Sequence, residues 1–409
     1  MLRIGLLGIA YNTGNKGCEA LAYSFFEVLN EIAISQKETI EVDLFAAFPT
    51  RRWIREKFSL KKIEKYYQPK EKFSNLVFSA AYYTRKGNNI IFSKKARYLL
   101  CVFDFTDGDS FTDIYGKKRF YDRTYLKKRI IDAGIPLVLG SQTVGPFHDE
   151  SVKKLAKDVI SRSYEIFVRD EMSYRCVMEL CRRKTVLTTD IAFFLPYSKG
   201  EGYISGKKKV GFNPSGLLWS GGYSRDNQFH LTVDYQEYCK RIIKSLLDNE
   251  FEVHLILHAY NEDMTNADND LVAATELKSL FPQTILSPGF NTPMEAKSYI
   301  SDMCVFIGAR MHATIAALSA GVPVIPFSYS RKFEGLFESL DYEYVIGGTK
   351  ISTDESVLRT LEWIEEESSI RRAVDKCKET IIRKNESLLE EYSRLVSGLI
   401  KHKGKGMVK

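Results

Sequence analysis

Two stretches of the chain carry the residue types that anion binding and proton transfer require. The richer one is Phe306-Ile307-Gly308-Ala309-Arg310-Met311-His312-Ala313-Thr314, continued by Gly321-Val322-Pro323-Val324-Ile325-Pro326-Phe327-Ser328-Tyr329-Ser330-Arg331-Lys332. An apolar strand ends near Gly308, and a helix of small residues begins near His312. Gly321-Val322-Pro323 turns the chain into a second strand, with Tyr329 to Lys332 at its end. This order brings Arg310, His312, Arg331 and Lys332 to one strand-end rim, and cations beside a helix N-terminus make an anion site. His312 is the group there that exchanges protons near pH 7. A structural reading stands beside this one: His312 caps its helix and Arg310 bridges domains.

The second stretch is Asn12-Thr13-Gly14-Asn15-Lys16-Gly17-Cys18-Glu19-Ala20-Leu21, which follows the first strand and opens the first helix. Its glycines allow close backbone approach, and the helix N-terminus offers N–H groups to anions or hydroxyls. It is neither a Walker loop nor GxGxxG, so it is a plain strand-to-helix turn or a substrate loop. Two further strand ends carry polar groups. Asp104-Phe105-Thr106-Asp107-Gly108-Asp109-Ser110-Phe111-Thr112-Asp113-Ile114-Tyr115-Gly116 is rich in acids but lacks the distal Glu of an EF-hand. It reads as a loop that hydrogen-bonds sugar hydroxyls or caps the next helix. Gly140-Ser141-Gln142-Thr143-Val144-Gly145-Pro146-Phe147 ends in a tight turn. In Val168-Arg169-Asp170-Glu171 the arginine either pairs with Asp170 or Glu171 or faces an anionic ligand. His254 reads as a sheet histidine, and His258 ends the same strand, where it could line a cleft.

The elements that position these loops follow from hydrophobic periodicity. Buried parallel strands read as continuous apolar runs, joined by amphipathic crossover helices. Strands are expected at 2–8, 40–46, 98–103, 136–141 and 164–168, with a helix over 17–34. The stretch 196–208, rich in Gly, Ser and Lys, reads as a linker. The pattern then restarts: strands at 209–213, 251–257, 303–308 and 322–327, a helix over 233–249, and a long charged helix or helix pair over 364–400. The expected fold is α/β, with two Rossmann-like doubly wound domains facing a cleft. Their expected bounds are 1–195, with 196–208 as linker, 209–363, and a C-terminal helical segment with a basic tail over 364–409.

Composition excludes other classes. The chain has 409 residues, 44% hydrophobic and 27% charged, as in globular proteins. Lys+Arg minus Asp+Glu is 59 − 52 = +7, too even for a polybasic nucleic-acid protein. Seven cysteines with no CxxC pair imply reduced thiols in the cytoplasm, and no His/Cys spacing suggests zinc. The apolar start Met1–Gly8 reads as a strand and not as a signal peptide, and no apolar window of ~18 residues suggests a membrane span. Residues 51–72 hold nine Lys/Arg against three Glu, interleaved with aromatics from Trp53 to Tyr83. This is either a solvated helical excursion or a basic, aromatic flap for a phosphorylated or membrane-borne substrate. Single-stranded nucleic acid suits the same mixture, but nothing else supports it.

Taken together, the motifs resemble the polysaccharide pyruvyl transferase family. The resemblance rests on Asn12-x-Gly14-Asn15-x-Gly17 with Glu19-Ala20, Gly108-Asp109-Ser110-Phe111-x-Asp113-x-Tyr115-Gly116, and Ser141-Gln142-x-x-Gly145-Pro146-Phe147. It rests also on Val168-Arg169-Asp170-Glu171-x-Ser173, Asp190-x-Ala192-Phe193, and Arg310-x-His312 with Gly321-x-Pro323 and Tyr329-x-x-Lys332. It spans residue 1 to about 345. The chain departs from the pattern at Ser141, where the family has a Gly-Gln opening, and at Asp107, where Gly-Gly is customary.

The resemblance implies a GT-B-like arrangement, phosphoenolpyruvate as donor, a sugar as acceptor and a pyruvate ketal as product. It implies His312 and Arg310 as catalytic residues, and a donor side in the second domain with Lys332, Arg331 and Tyr329, joined by Arg169. The first domain becomes the acceptor side, with Asn12, Gly14, Asn15, Gly17, Asp109, Ser110 and Gln142. No metal or cofactor is expected, since cations would stabilise developing charge and phosphoenolpyruvate is a co-substrate. A bacterial capsular or exopolysaccharide repeat on a polyprenyl diphosphate is the implied acceptor, met in the cytoplasm at the inner face of the membrane. The alternative is a GT-B glycosyltransferase using a nucleotide sugar; these often need a carboxylate for ribose, and the nearest to the Arg310–Arg331 stretch is Glu334. A non-catalytic carbohydrate or lipid-carrier binding module is the third class.

Overall fold

The computed structural model describes residues 1–11, 13–45, 63, 65–67, 75–80, 83–86, 89–92, 94–199 and 206–406. The chain divides into two compact units. One comprises Met1–Asn12, Leu21–Pro196 and Arg383–Lys409; the other comprises Thr13–Ala20 and Tyr197–Ile382.

The first unit is built on β1 (Leu2–Leu7), β2 (Ile40–Leu44), β3 (Leu76–Ala80), β6 (Cys101–Asp104), β7 (Leu137–Gln142), β8 (Glu165–Val168) and β9 (Val186–Leu187). They form one sheet in the order β3-β2-β1-β6-β7-β8-β9, parallel throughout. A separate antiparallel hairpin joins β4 (Tyr83–Lys86) to β5 (Asn89–Phe92). β6 and β7 are buried along their whole length, as strands covered on both faces must be. The second unit repeats the scheme with β10 (Lys209–Asn213), β11 (Glu252–Leu255), β12 (Ile285–Leu286), β13 (Val305–Gly308), β14 (Val324–Ser328) and β15 (Ile346–Gly347), in the order β12-β11-β10-β13-β14-β15. Each sheet therefore reverses its winding at one place, between β1 and β6 and between β10 and β13, and ligands of open α/β sheets bind beyond the strand ends there.

Two segments sit elsewhere than the periodicity suggests. Thr13–Ala20 packs with the second unit, not the first. The cause is a backbone bridge: Lys16 N donates to His258 O at 2.8 Å, and Tyr260 N donates to Gly14 O at 3.1 Å. Gly14 has φ +78°, and a Cβ there would stand 2.2 Å from Tyr260 O, so the bridge needs glycine. At the other end, the long helix Glu367–Gly406 returns the chain to the first unit from Arg383 onward. Tyr392 inserts its ring among Phe25, Phe103 and Phe167, at 6.0, 5.2 and 4.6 Å between centroids. Its hydroxyl accepts from Ser141 N at 3.0 Å, where the register of β7 against β8 shifts. Most of the basic 51–83 stretch and residues 200–205 of the linker lie outside the described residues. Within that stretch, Tyr67 and Phe78 pack edge-on against Phe26, so these two aromatics serve the core. Among the described residues no helix is long and apolar enough to cross a membrane.

Candidate active site

In the second unit, the ends of β10 and β13 are neighbours, with Asn213 opposite Gly308. Beyond Gly308 the chain turns into the helix Met311–Ala320, whose small side chains let it lie close on the sheet. Arg310 is its N-cap residue and gives no side-chain cap. His312 therefore stands in the first turn of an uncapped helix, where backbone N–H groups and the helix dipole favour negative charge.

The loop before the first helix, Lys16–Gln36, meets this histidine. Asn15 caps that helix through Oδ1, which accepts from Gly17 N at 3.0 Å and Cys18 N at 3.2 Å. A Cβ on Gly17 would stand 2.7 Å from His312 Nδ1, so only glycine lets the imidazole approach. Lys16 and Glu19 are both buried and paired at 3.1 Å, and Glu19 also accepts from Thr13 N at 3.0 Å. Gly14, Asn15 and Gly17, expected on the acceptor side of the first domain, thus share a unit with His312.

Arg310 is 9% exposed, and its guanidinium is bound by Asp268 and Asp270. Burial works against its charge and the two carboxylates hold it charged. It is thus not the open cation that the sequence suggested. Asp270 is the centre of this cluster. Its Oδ1 accepts from Arg310 Nε (2.9 Å), Arg310 Nη2 (2.7 Å) and Gly216 N (3.0 Å). Its Oδ2 accepts from Ala259 N (2.9 Å), His258 N (3.1 Å) and Asn213 Nδ2 (3.2 Å). One buried carboxylate so ties together the ends of β10, β11 and β13. Asp268 and Asp270 were not singled out in the sequence; the available signal was two acids flanking Asn269, the N-cap of the helix Asp270–Leu280.

His258 is buried, and burial, helped by His312, Arg310 and Lys16, holds its pKa well below the usual histidine value. The folded chain keeps it neutral, whereas the unfolded chain takes up its proton below about pH 6.5. Its contribution to stability is therefore present above about pH 6.5 and is lost as pH falls, at up to about 1.4 kcal/mol per pH unit. Urea unfolding of wild type and His258→Gln between about pH 7.5 and pH 5.5 should show the shallower acid slope in the variant. Parallel slopes would refute the assignment.

Tyr329 is buried, its ring against Phe229 (4.8 Å) and Phe333 (5.5 Å), so the ring is taken up by packing. Arg331 and Lys332 open the helix Arg331–Glu338, which follows β14, the parallel neighbour of β13. Ser330, its N-cap, also gives no side-chain cap. The side chains of Arg331 and Lys332 lie outside the described residues.

In the first unit, Arg169 is buried and pairs with neither Asp170 nor Glu171. Its Nη1 meets Asp190 at 2.5 Å and its Nε donates to Thr143 Oγ1 at 2.9 Å. Asp170 instead caps the helix Glu171–Cys181. The charge of Arg169 is therefore already neutralised. Gln142 is fully buried and donates to Asp104 O at 2.7 Å. Ser110 is buried too, accepting from Arg119 Nη2 at 2.9 Å. These two shape the loop and are not open to a ligand, whereas Asp109 is half-buried and accepts from Tyr115 OH at 3.0 Å. A buried ion pair that periodicity does not reveal, Lys127–Asp104 at 3.0 Å, lies under the same loop. Burial lowers the Lys127 pKa, opposed by Asp104. Asn12 lies outside the described residues.

Two parallel-sheet α/β units, each with its polar groups at the strand ends, define a protein of the GT-B fold class. Solved structures agree. UDP-GlcNAc 2-epimerase from Neisseria meningitidis, bound to UDP-GlcNAc, matches with TM-score 0.53 and 11% identity over 95% of this chain and 100% of that one. The S. aureus MnaA-UDP structure gives 0.56 and 11%, over 92% and 91%. Anabaena Alr3699/HepE in complex with UDP gives 0.55 and 10%, over 97% and 100%. At such identity the likeness concerns the fold. The family model of polysaccharide pyruvyl transferase matches residues 15–331, and the chain belongs to that family. No curated protein sequence matches it.

Proposed function

We propose that the protein transfers the pyruvyl group of phosphoenolpyruvate to two hydroxyls of one sugar residue of a polysaccharide repeat, forming a ketal and releasing phosphate. The observation that carries this reading is His312 in the first turn of an uncapped helix at the reversal point of the second sheet, with Gly17 cleared to receive its ring. One sugar hydroxyl adds to C2 of the enol while C3 takes up a proton. Phosphate then leaves, the second hydroxyl attacks C2, and its proton goes to solvent or phosphate. Both additions need a group that gives and takes a proton, and the His312 imidazole is proposed for that role.

The donor carries several negative charges. Arg310, Lys16 and Arg169 are matched by internal carboxylates. The donor's charge is therefore assigned to the N-termini of the helices Met311–Ala320 and Arg331–Glu338, with Arg331 and Lys332 in the first turn of the latter. Arg310 acts by holding the turn before His312. The acceptor is proposed to be borne on a polyprenyl diphosphate at the cytoplasmic membrane face, and no metal or organic cofactor takes part.

A second reading, a glycosyltransferase or related enzyme acting on a nucleotide sugar, is favoured by the UDP ligands of the similar structures. One experiment separates the two. The protein is incubated with phosphoenolpyruvate or a UDP-sugar and a panel of saccharides, and thermal shift, phosphate release and saccharide mass are read. Phosphate release with mass gain of a pyruvate ketal is expected. Stabilisation and turnover by the UDP-sugar alone would overturn the proposal.

A further inference from the structure

In the first unit, Thr106, Asp107 and Gly108 follow β6 with φ of +44°, +56° and +88°. This left-handed region belongs to glycine, and side chains persist there where the surroundings fix them. The loop is fixed on both sides. Asp107 N donates to Gly8 O at 2.6 Å and Thr143 N donates to Gly108 O at 2.9 Å, which fastens it to the ends of β1 and β7. Gly8 in turn has no room for a Cβ, which would stand 2.4 Å from Thr106 N. The loop thus lies across the β1/β6 reversal point, the ligand-binding end of such a sheet.

The side chain held there is only partly covered. The Asp107 carboxylate is 14% exposed and meets Arg123 Nη2 through Oδ2 at 2.8 Å; no hydrogen bond from the described residues reaches Oδ1. Arg119 lies over the Tyr115 ring at 5.0 Å with its Nη2 on Ser110 Oγ at 2.9 Å, and Tyr115 donates to Asp109. Arg123 and Arg119 both favour the charged Asp107 carboxylate and Asp109 opposes it, so two cations balance two carboxylates beside an aromatic ring. Such a balanced set gains little from a phosphate or a cation. It suits a neutral polyol, whose hydroxyls donate and accept at once.

We infer that Asp107, braced by Arg123, binds the acceptor sugar, with Oδ1 accepting from a ring hydroxyl and Arg119 donating to a neighbouring oxygen. The inference rests on the sugar-acceptor reading above. The test compares wild type with Asp107→Gly, which the left-handed backbone accommodates without loss of folding. The probes are methyl glycosides of galactose, glucose and N-acetylmannosamine. Binding is read by saturation-transfer NMR without phosphoenolpyruvate, and KM values for glycoside and phosphoenolpyruvate are read by phosphate release. The variant is expected to lose the NMR signal and to raise the glycoside KM about tenfold or more, with the phosphoenolpyruvate KM unchanged. Asp107→Asn, which keeps an acceptor oxygen, should fall between the two. Unchanged glycoside binding in Asp107→Gly overturns the inference, and so does a wild-type protein that binds none of the three glycosides. Loss of binding in the variant, with no phosphate release by either protein, supports Asp107 as a sugar ligand and overturns pyruvyl transfer instead.

Discussion

Asp270→Ala is expected to remove about 3–5 kcal/mol of folding stability, read as a lower urea midpoint with unchanged slope. The carboxylate is fully buried, and its removal leaves the Arg310 guanidinium with one partner, Asp268, which is 23% exposed on its side chain. It also strands the backbone N–H groups of Gly216, His258 and Ala259, each of which then lacks its acceptor. Asp268→Ala should cost well under half as much, because water reaches that side of the pair. Asp270→Asn is the sharper variant: it keeps the shape but turns an NH2 toward groups that already donate. Equal losses for Asp268→Ala and Asp270→Ala would show that Arg310 is held by charge alone and that Asp270 is no hub.

The contrast between Asp270 and Arg310 marks what a sequence makes legible. Arg310 and His312 stood out because they sit at a strand end beside glycine and small residues, a local pattern. Whether Arg310 is open or neutralised depends on Asp270, forty positions away, and no periodicity reports such a pairing. The same holds for Arg169, matched by Asp190 and not by its sequence neighbours, and for Lys127, whose partner Asp104 lies 23 positions back. The sheets were the readable part, since β1, β6, β7, β10, β13 and β14 are continuous apolar runs whose burial on two faces leaves one assembly, parallel with helical crossovers. The short edge strands β9, β12 and β15 hold two residues each, too few for a pattern. Domain bounds were blurred for a different reason. The Gly14–Tyr260 bridge and the Tyr392 ring cluster are long-range contacts that move two segments across the expected boundary.

Gly17→Ala joins loop to histidine and should cost catalysis, not folding. The added methyl would stand 2.7 Å from His312 Nδ1 and 3.0 Å from its Cβ, closer than carbon and nitrogen tolerate, so the imidazole must move. A displacement of this order costs about 10²-fold in turnover where proton transfer depends on the ring's position. Alanine's better helix propensity is offset by these contacts and by Asn15 Oδ1 at 3.1 Å, so thermal stability should change little against the loss in turnover. His312→Gln removes the proton exchanger outright, with an expected loss of ~10²–10⁴-fold in the rate of ketal formation. The double variant decides whether the two effects share a cause. If Gly17 matters by seating His312, the methyl costs almost nothing once the imidazole is gone, and the double variant is no slower than His312→Gln alone. Multiplying penalties would mean that Gly17 touches the substrate itself, and His312 would lose its claim to be the group which that glycine serves.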